Sequence, residues 1–168
     1  DIKETSGNDD IIIVTKHGKS IRFSEKDVRA TGRAAMGVRA LKLGEGDEVI
    51  SMCLVNEEDK LLVVTQNGFG KRTPVKDYKK QERGGKGILT YDKSKFSKTG
   101  ELVGAVTVEE DDEVLLINSD GIIIRIEAKD VSEFGRATQG VKIMKVEEDA
   151  NIISMTKVIK EDSEKETD

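Results

Sequence analysis

In 168 residues the chain has no tryptophan, one proline, one cysteine and one histidine, and aromatics make up only 4%. Each scarcity excludes something. Cys53 has no second thiol with which to close an internal disulfide, and His17 has no neighbouring cysteine or histidine with which to hold a metal. With so few aromatics, a core must be drawn from Ile, Val and Leu, which favour strands over an aromatic-lined pocket. No apolar run approaches the roughly 20 residues of a membrane helix, and the first residues lack the basic-then-apolar order of a signal peptide. Gly18-Lys19-Ser20 ends like a phosphate-binding loop, but Ile13 stands where the leading glycine is needed. Tyr78 and Tyr91 read as packing residues. The acidic run Glu109–Glu113 lacks the order of a calcium loop. The expectation is a cytoplasmic chain with no catalytic residue, no metal, no cofactor, no small-molecule substrate and no membrane partner.

What the chain does have is a repeat. Three segments align without gaps from a turn glycine to a second glycine 19 residues later: Gly18 to Gly37, Gly68 to Gly87 and Gly121 to Gly140. Arg22, Arg72 and Arg125 stand four residues past the turn, Asp27, Asp77 and Asp130 nine past it, and Arg33, Arg83 and Arg136 fifteen past it. Each turn follows an apolar run (11–14, 61–64, 114–117), and Asn67-Gly68 and Asp120-Gly121 carry the positive φ angles of a tight hairpin. Two further strand candidates follow each second glycine: 38–43 with 49–55, 88–91 with 102–108, and 141–146 with 152–158. Short helical turns are expected near Glu25–Arg29 and Lys76–Lys80. Four short strands per period of roughly 50 residues imply an all-β, propeller-like array of about three four-stranded blades. The units run over about 11–55, 61–108 and 114–158, between an acidic leader (1–10) and an acidic tail (159–168) that both read as disordered. Three blades do not ordinarily close a ring, so a partial ring is expected.

The net charge of −5 is an average over unlike regions. Residues 1–10 carry −3 and 161–168 carry −4, which leaves +2 for 11–160. Between their paired glycines, units one, two and three carry +3, +5 and 0. Basic spans therefore alternate with acidic turns, and the registered arginines point to a polyanion surface. The expected contacts in unit one are Lys19, Arg22, Arg29 and Arg33. In unit two they are Lys71, Arg72, Lys76, Lys79, Lys80, Arg83 and Lys86, with Gly84 and Gly85 offering backbone N–H groups to phosphate oxygens. Unit three adds Arg125 and Arg136. A protein-interaction scaffold, with the acidic turns engaging a basic partner, is the alternative that repeat architecture leaves open.

The stretches Leu43-Gly44-Glu45-Gly46-Asp47, Thr65–Thr73 and Gly135–Val141 resemble the C-terminal domain of the bacterial DNA gyrase A protein over about residues 11–158. The resemblance implies a six-bladed β-pinwheel that wraps double-stranded DNA, of which this chain matches the last three blades. It implies as partners the remainder of the gyrase A protein and the gyrase B protein, in an ATP-dependent, nucleoid-associated enzyme that introduces negative supercoils. The family's box, Gln-Arg-Arg-Gly-Gly-Lys-Gly, is approached by Gln81–Gly87, with Glu82 in place of an arginine. Topoisomerase IV is the related alternative.

Overall fold

The computed structural model describes residues 1–159. Unit one supplies β1 (Asp10–Thr15), β2 (Lys19–Ser24) and β3 (Val49–Val55). Unit two supplies β4 (Lys60–Thr65), β5 (Phe69–Pro74), β6 (Ile88–Leu89), the single helical turn α1 (Phe96–Thr99) and β7 (Leu102–Val108). Unit three supplies β8 (Glu113–Asn118), β9 (Ile123–Glu127), β10 (Val141–Lys142) and β11 (Ile152–Lys157). They form three antiparallel sheets in the orders β3-β1-β2-β6, β10-β5-β4-β7 and β11-β8-β9. The result is a partial β-pinwheel.

The fourth strand of each complete blade therefore comes from the following unit. β6 crosses to pair with β2, and β10 crosses to pair with β5. The segment at 38–43, expected as a strand, forms none among the described residues, which include no preceding unit for it to pair with; the candidates at 88–91 and 141–146 shorten to two residues each. The expected short helices appear as single 3-10 turns at Glu25–Asp27 and Val75–Asp77, and a third occurs at Ala128–Asp130.

The opening hairpins have loops of three residues in units one and two and four in unit three, in which only the glycine is left-handed, with φ of 77°, 82° and 79° at Gly18, Gly68 and Gly121. Asn67 and Asp120 do not share the positive φ that the Asn-Gly and Asp-Gly pairs led one to expect. The side chain that ends the first strand of each hairpin accepts from the backbone N–H four residues on: Thr15 from Lys19 (3.1 Å), Thr65 from Phe69 (3.2 Å) and Asn118 from Ile122 (2.8 Å).

Alternation along the strands divides the core among the blades. Ile12 and Val14 of β1 meet Leu61 and Val63 of β4 between blades one and two, joined by Val75 and Tyr78 from the turn after β5. Leu62 and Val64 face the other way, onto Val114, Leu116, Ala128 and Val131 between blades two and three. Ile11, Ile13, Ile21 and Phe23 form a third cluster with Leu41 on the outer face of blade one. Residues 1–9 contain no strand and are mostly exposed, whereas Asp10 opens β1 and is buried. Of the acidic tail, only Ile159 falls within the described residues.

Candidate nucleic-acid interface

Two of the three arginines four past the turn glycine are not on the basic surface expected of them. Arg22 is 3% exposed and Arg72 5%. Arg22 bonds Asp10 through Nε (3.0 Å) and Nη2 (2.6 Å), pairs with Glu57, and donates through Nη1 to the carbonyls of Val75 (3.2 Å) and Tyr78 (3.1 Å). Arg72 donates to the carbonyls of Val131 (2.7 Å) and Lys129 (3.4 Å) and pairs with Glu110 (2.9 Å). Both guanidiniums thus bind the 3-10 turn of the next unit against their own blade. Lys60 and Arg72 together hold the exposed Glu110 carboxyl down to about 2.

Lys71 is a second correction, for it is fully buried at the position that Ile21 and Ile124 occupy in the other units. Its Nζ donates to the carbonyls of Gly135 (2.7 Å) and Arg136 and to Thr138 Oγ1 (3.2 Å), clamping the unit-three loop onto blade two. Burial pushes this ammonium down to about 7, and the Arg136 charge adds to the push while Asp92 opposes it. An unfolded lysine keeps its proton up to about 10.5, so between those values the unfolded chain binds more protons and native stability rises with pH. Urea melts from pH 7 to pH 10 are expected to show an increment of stability that Lys71→Met lacks. Parallel pH profiles for the two chains would contradict it.

Arg83 and Arg136, fifteen past the turn in units two and three, also seal seams. Arg83 Nε donates to the Asp27 carbonyl (2.9 Å) and its Nη1 to that of Arg39; Arg136 Nη1 donates to the equivalent carbonyl of Leu89 (2.9 Å). The glycine box is spent in the same way. Gly84 N–H donates to Ala40 O (2.7 Å), and Gly85 O accepts from Lys42 N–H (2.8 Å), so Gly84 has no N–H left for a phosphate. A Cβ on Gly87 would stand 2.5 Å from Ser20 O, and one on Gly140 would stand 2.3 Å from Gly70 O. These glycines admit the crossing strand.

What remains on the surface is the rest of the predicted set. Lys76, Lys79 and Lys86 of unit two and Arg29 and Arg33 of unit one are exposed, and Lys19 is half-buried. Lys80 is exposed but pairs with Asp10 (2.9 Å), and Arg125 pairs with Glu113. Sequence reasoning missed Lys93, Lys95 and Lys98, which are exposed on the turn and helix α1 between β6 and β7. The signal was there: unit two has 14 residues between its second glycine and its last strand, β7, where units one and three have 11 before β3 and β11. Counting charge only between paired glycines passed over it. Lys98 also brings its ammonium to 5.3 Å from the Phe69 ring, and Lys142 of the next unit comes to 5.9 Å, so cations from two units meet at one seam.

Among the described residues no group of three or more His, Cys, Asp or Glu could hold a metal, and no helix is long and apolar enough to cross a membrane. Cys53 is buried, and burial pushes its thiol up to about 11. Consecutive blades that exchange a strand and carry exposed cations on their connecting turns define a β-pinwheel module. The sequence profile described as DNA gyrase C-terminal domain, beta-propeller, matches residues 9–56, 59–109 and 112–159, one repeat per blade, and the chain belongs to that family.

The DNA gyrase A protein of Staphylococcus aureus (strain NCTC 8325 / PS 47) is 43% identical over 168 residues, covering 99% of this chain and 19% of that protein. The chain therefore spans about a fifth of its curated relatives. A solved DNA gyrase A C-terminal domain superposes with TM-score 0.85 at 34% identity, covering 92% of this chain and 52% of the other. A topoisomerase IV C-terminal domain superposes with TM-score 0.88 at 27% identity, covering 94% and 49%. Shape does not separate the two relatives, whereas identity is higher to gyrase.

Proposed function

We propose that this chain binds double-stranded DNA through its phosphates, without reading base sequence, along a cationic surface centred on unit two. The observation that carries the reading is the set of six exposed lysines there, Lys76, Lys79, Lys86, Lys93, Lys95 and Lys98, none of them in the ion pairs that neutralise Lys80 and Arg125. Exposed ammonium groups outside such ion pairs meet phosphates by releasing condensed counterions, and such contacts position a duplex without specifying its bases. Arg29 and Arg33 extend the surface into unit one. Arg22, Lys71 and Arg72 support it from within, holding the blades in the curvature that the lysines follow.

In a gyrase-type enzyme this surface bends DNA and presents a second segment of it to the cleavage core. Bending a site by 40–90° costs on the order of 1–6 kcal/mol, which several phosphate contacts together offset. Family membership supports this use, and the 43% identity to a gyrase A protein favours it over topoisomerase IV.

Anisotropy titrations with two duplexes of unrelated sequence test the reading. Affinity is expected to be equal for both and to fall by about 0.9 log unit per log unit of salt for each phosphate neutralised. Replacing Lys76, Lys79 and Lys86 by alanine lowers that slope by about 2 to 3 and leaves the urea midpoint unchanged. A flat salt dependence, or an unchanged slope in the triple variant, would refute the surface. Wrapping has its own readout: a nicked plasmid ligated with the chain present shifts its linking number, and an unshifted distribution argues for binding without bending.

A further inference from the structure

The segment between β6 and β7 is tied to all three units, and its exposed side carries three of the six lysines proposed to meet DNA. At its start, Thr90 N–H donates to the turn carbonyl of Gly18 in unit one (2.9 Å), and Asp92 N–H donates to Thr138 O in unit three (3.3 Å). At its end, the opening hairpin of unit two closes over it. Asn67 donates through its backbone N–H to Thr99 O (2.9 Å) and through Nδ2 to Lys98 O (2.9 Å). Glu101 N–H donates to Gln66 Oε1 (3.1 Å), and Gln66 N–H returns a bond to Glu101 O (3.0 Å).

The step 23 residues past the turn glycine is buried in every unit, as Leu41, Tyr91 and Met144. Only in unit two is it aromatic, and there the side chain makes three contacts that an aliphatic one could not. The Tyr91 hydroxyl donates to the Gln139 carbonyl of unit three. Lys71 Nζ lies 5.7 Å from its ring centroid. The ring also stacks on Phe96, with centroids 5.8 Å apart and planes 15° apart. Both rings rest on the hairpin turn of unit one, where a Cβ on Gly18 would stand 3.2 Å from Tyr91 Cβ and 3.3 Å from Phe96 Cζ.

Phe96 opens α1 and is half-buried, whereas Lys93, Lys95 and Lys98 around it are exposed. Asp92 Oδ1 accepts from Ser94 N–H (3.0 Å) and Oγ–H (2.7 Å) ahead of it, and Gly100 N–H donates to Phe96 O (2.9 Å) behind it. A helix of four residues is far too short to hold itself in water, so the ring beneath it decides how its lysines are presented.

We propose that Phe96 is a positioning residue of the DNA surface: stacked on Tyr91, it holds Lys93, Lys95 and Lys98 in one arrangement before a duplex arrives, an inference that rests on the DNA-binding reading of those lysines. A turn already ordered does not have to be ordered by the ligand, and affinity gains by that difference. Tyr91 is the anchor, and its bond to Gln139 ties the arrangement to unit three.

A double-mutant cycle on duplex affinity, read by anisotropy at fixed salt, tests this. Phe96→Ala is expected to weaken binding roughly tenfold in the parent chain and to change nothing once Lys93, Lys95 and Lys98 are alanine, because no lysine is then left to position. Phe96→Leu fills much of the same space without a ring face to stack, and it is expected to show the same dependence on the lysines, so the cycle does not hang on a variant that folds poorly. Phe96→Tyr keeps both the stack and the affinity. A loss of general stability weakens binding equally in both backgrounds. Equal weakening in both, Phe96→Ala binding as the parent does, or Phe96→Tyr as weak as Phe96→Ala overturns the positioning role and leaves the surface standing. A triple lysine variant that binds as tightly as the parent removes this turn from the DNA surface, and the positioning role with it.

Discussion

Arg22→Ala is expected to lower the unfolding free energy by roughly 3–5 kcal/mol, the loss that follows removal of one partner from a buried ion pair. The substitution strands Asp10, 6% exposed, and takes the donor away from the carbonyls of Val75 and Tyr78. Lys80, 2.9 Å from Asp10, keeps part of that carboxylate compensated and sets the result toward the lower end. Arg22→Lys does not rescue it, because one ammonium cannot reach Asp10 and two carbonyls of another unit in the planar spread that a guanidinium offers. Arg125→Ala is the internal control. It removes the same residue at the same step, but its pair with Glu113 is screened by solvent, so only a small loss is expected. Urea midpoints of the three variants decide the matter, and equal small losses at positions 22 and 125 would remove the interior role.

The second large effect is expected at Gly140. An alanine there must hold φ at 72° and also place its Cβ 2.3 Å from Gly70 O, 2.8 Å from Gly70 C and 3.0 Å from the Lys71 Cβ. Two of those atoms are backbone in the middle of blade two, so the crossing strand β10 has to withdraw. Gly37 separates the two causes: its φ is 74°, with nothing within 4 Å of an added Cβ. Gly37→Ala is therefore expected to cost only the left-handed backbone, about 1–2 kcal/mol. Gly140→Ala is expected to cost about 3 kcal/mol or more, with loss of hydrogen-exchange protection in β5 and β10. If the two alanines prove equally destabilising, the close approach contributes nothing.

The blade count and the hairpins were legible because they rest on local signals: apolar runs of strand length, a glycine at a fixed offset and an acidic turn between units. Strand exchange was not legible, since Val38, Ile88 and Val141 share a step, and only the presence of a preceding blade decides whether that step becomes a strand. The candidate site was misread for a related reason. A repeated arginine has the same spacing whether it faces a phosphate or the carbonyls of the next unit. Arg22 and Arg72 are buried by residues 53 to 59 positions further on, a separation across which periodicity carries no information. Lys71 gave one clue, a lysine standing where its repeats have isoleucine. Of the unit-two lysines expected at the surface, Lys76, Lys79 and Lys86 are exposed, and they are the ones the proposed surface keeps.

Strand exchange also governs how the chain leaves the ribosome. β2 is finished at Ser24, but its outer neighbour β6 does not begin until Ile88. At translation rates of about 5–20 residues per second, the edge of the nascent first blade stays open for roughly 3 to 13 seconds. An open edge is a template for pairing with other nascent chains, and charged side chains along it are a recurrent defence. Lys19 and Arg22 line that edge in β2, and Lys71 and Arg72 line it in β5, until the next unit arrives and covers the arginines and Lys71. The cations that end as seals between blades thus spend their first seconds as guards against misassembly.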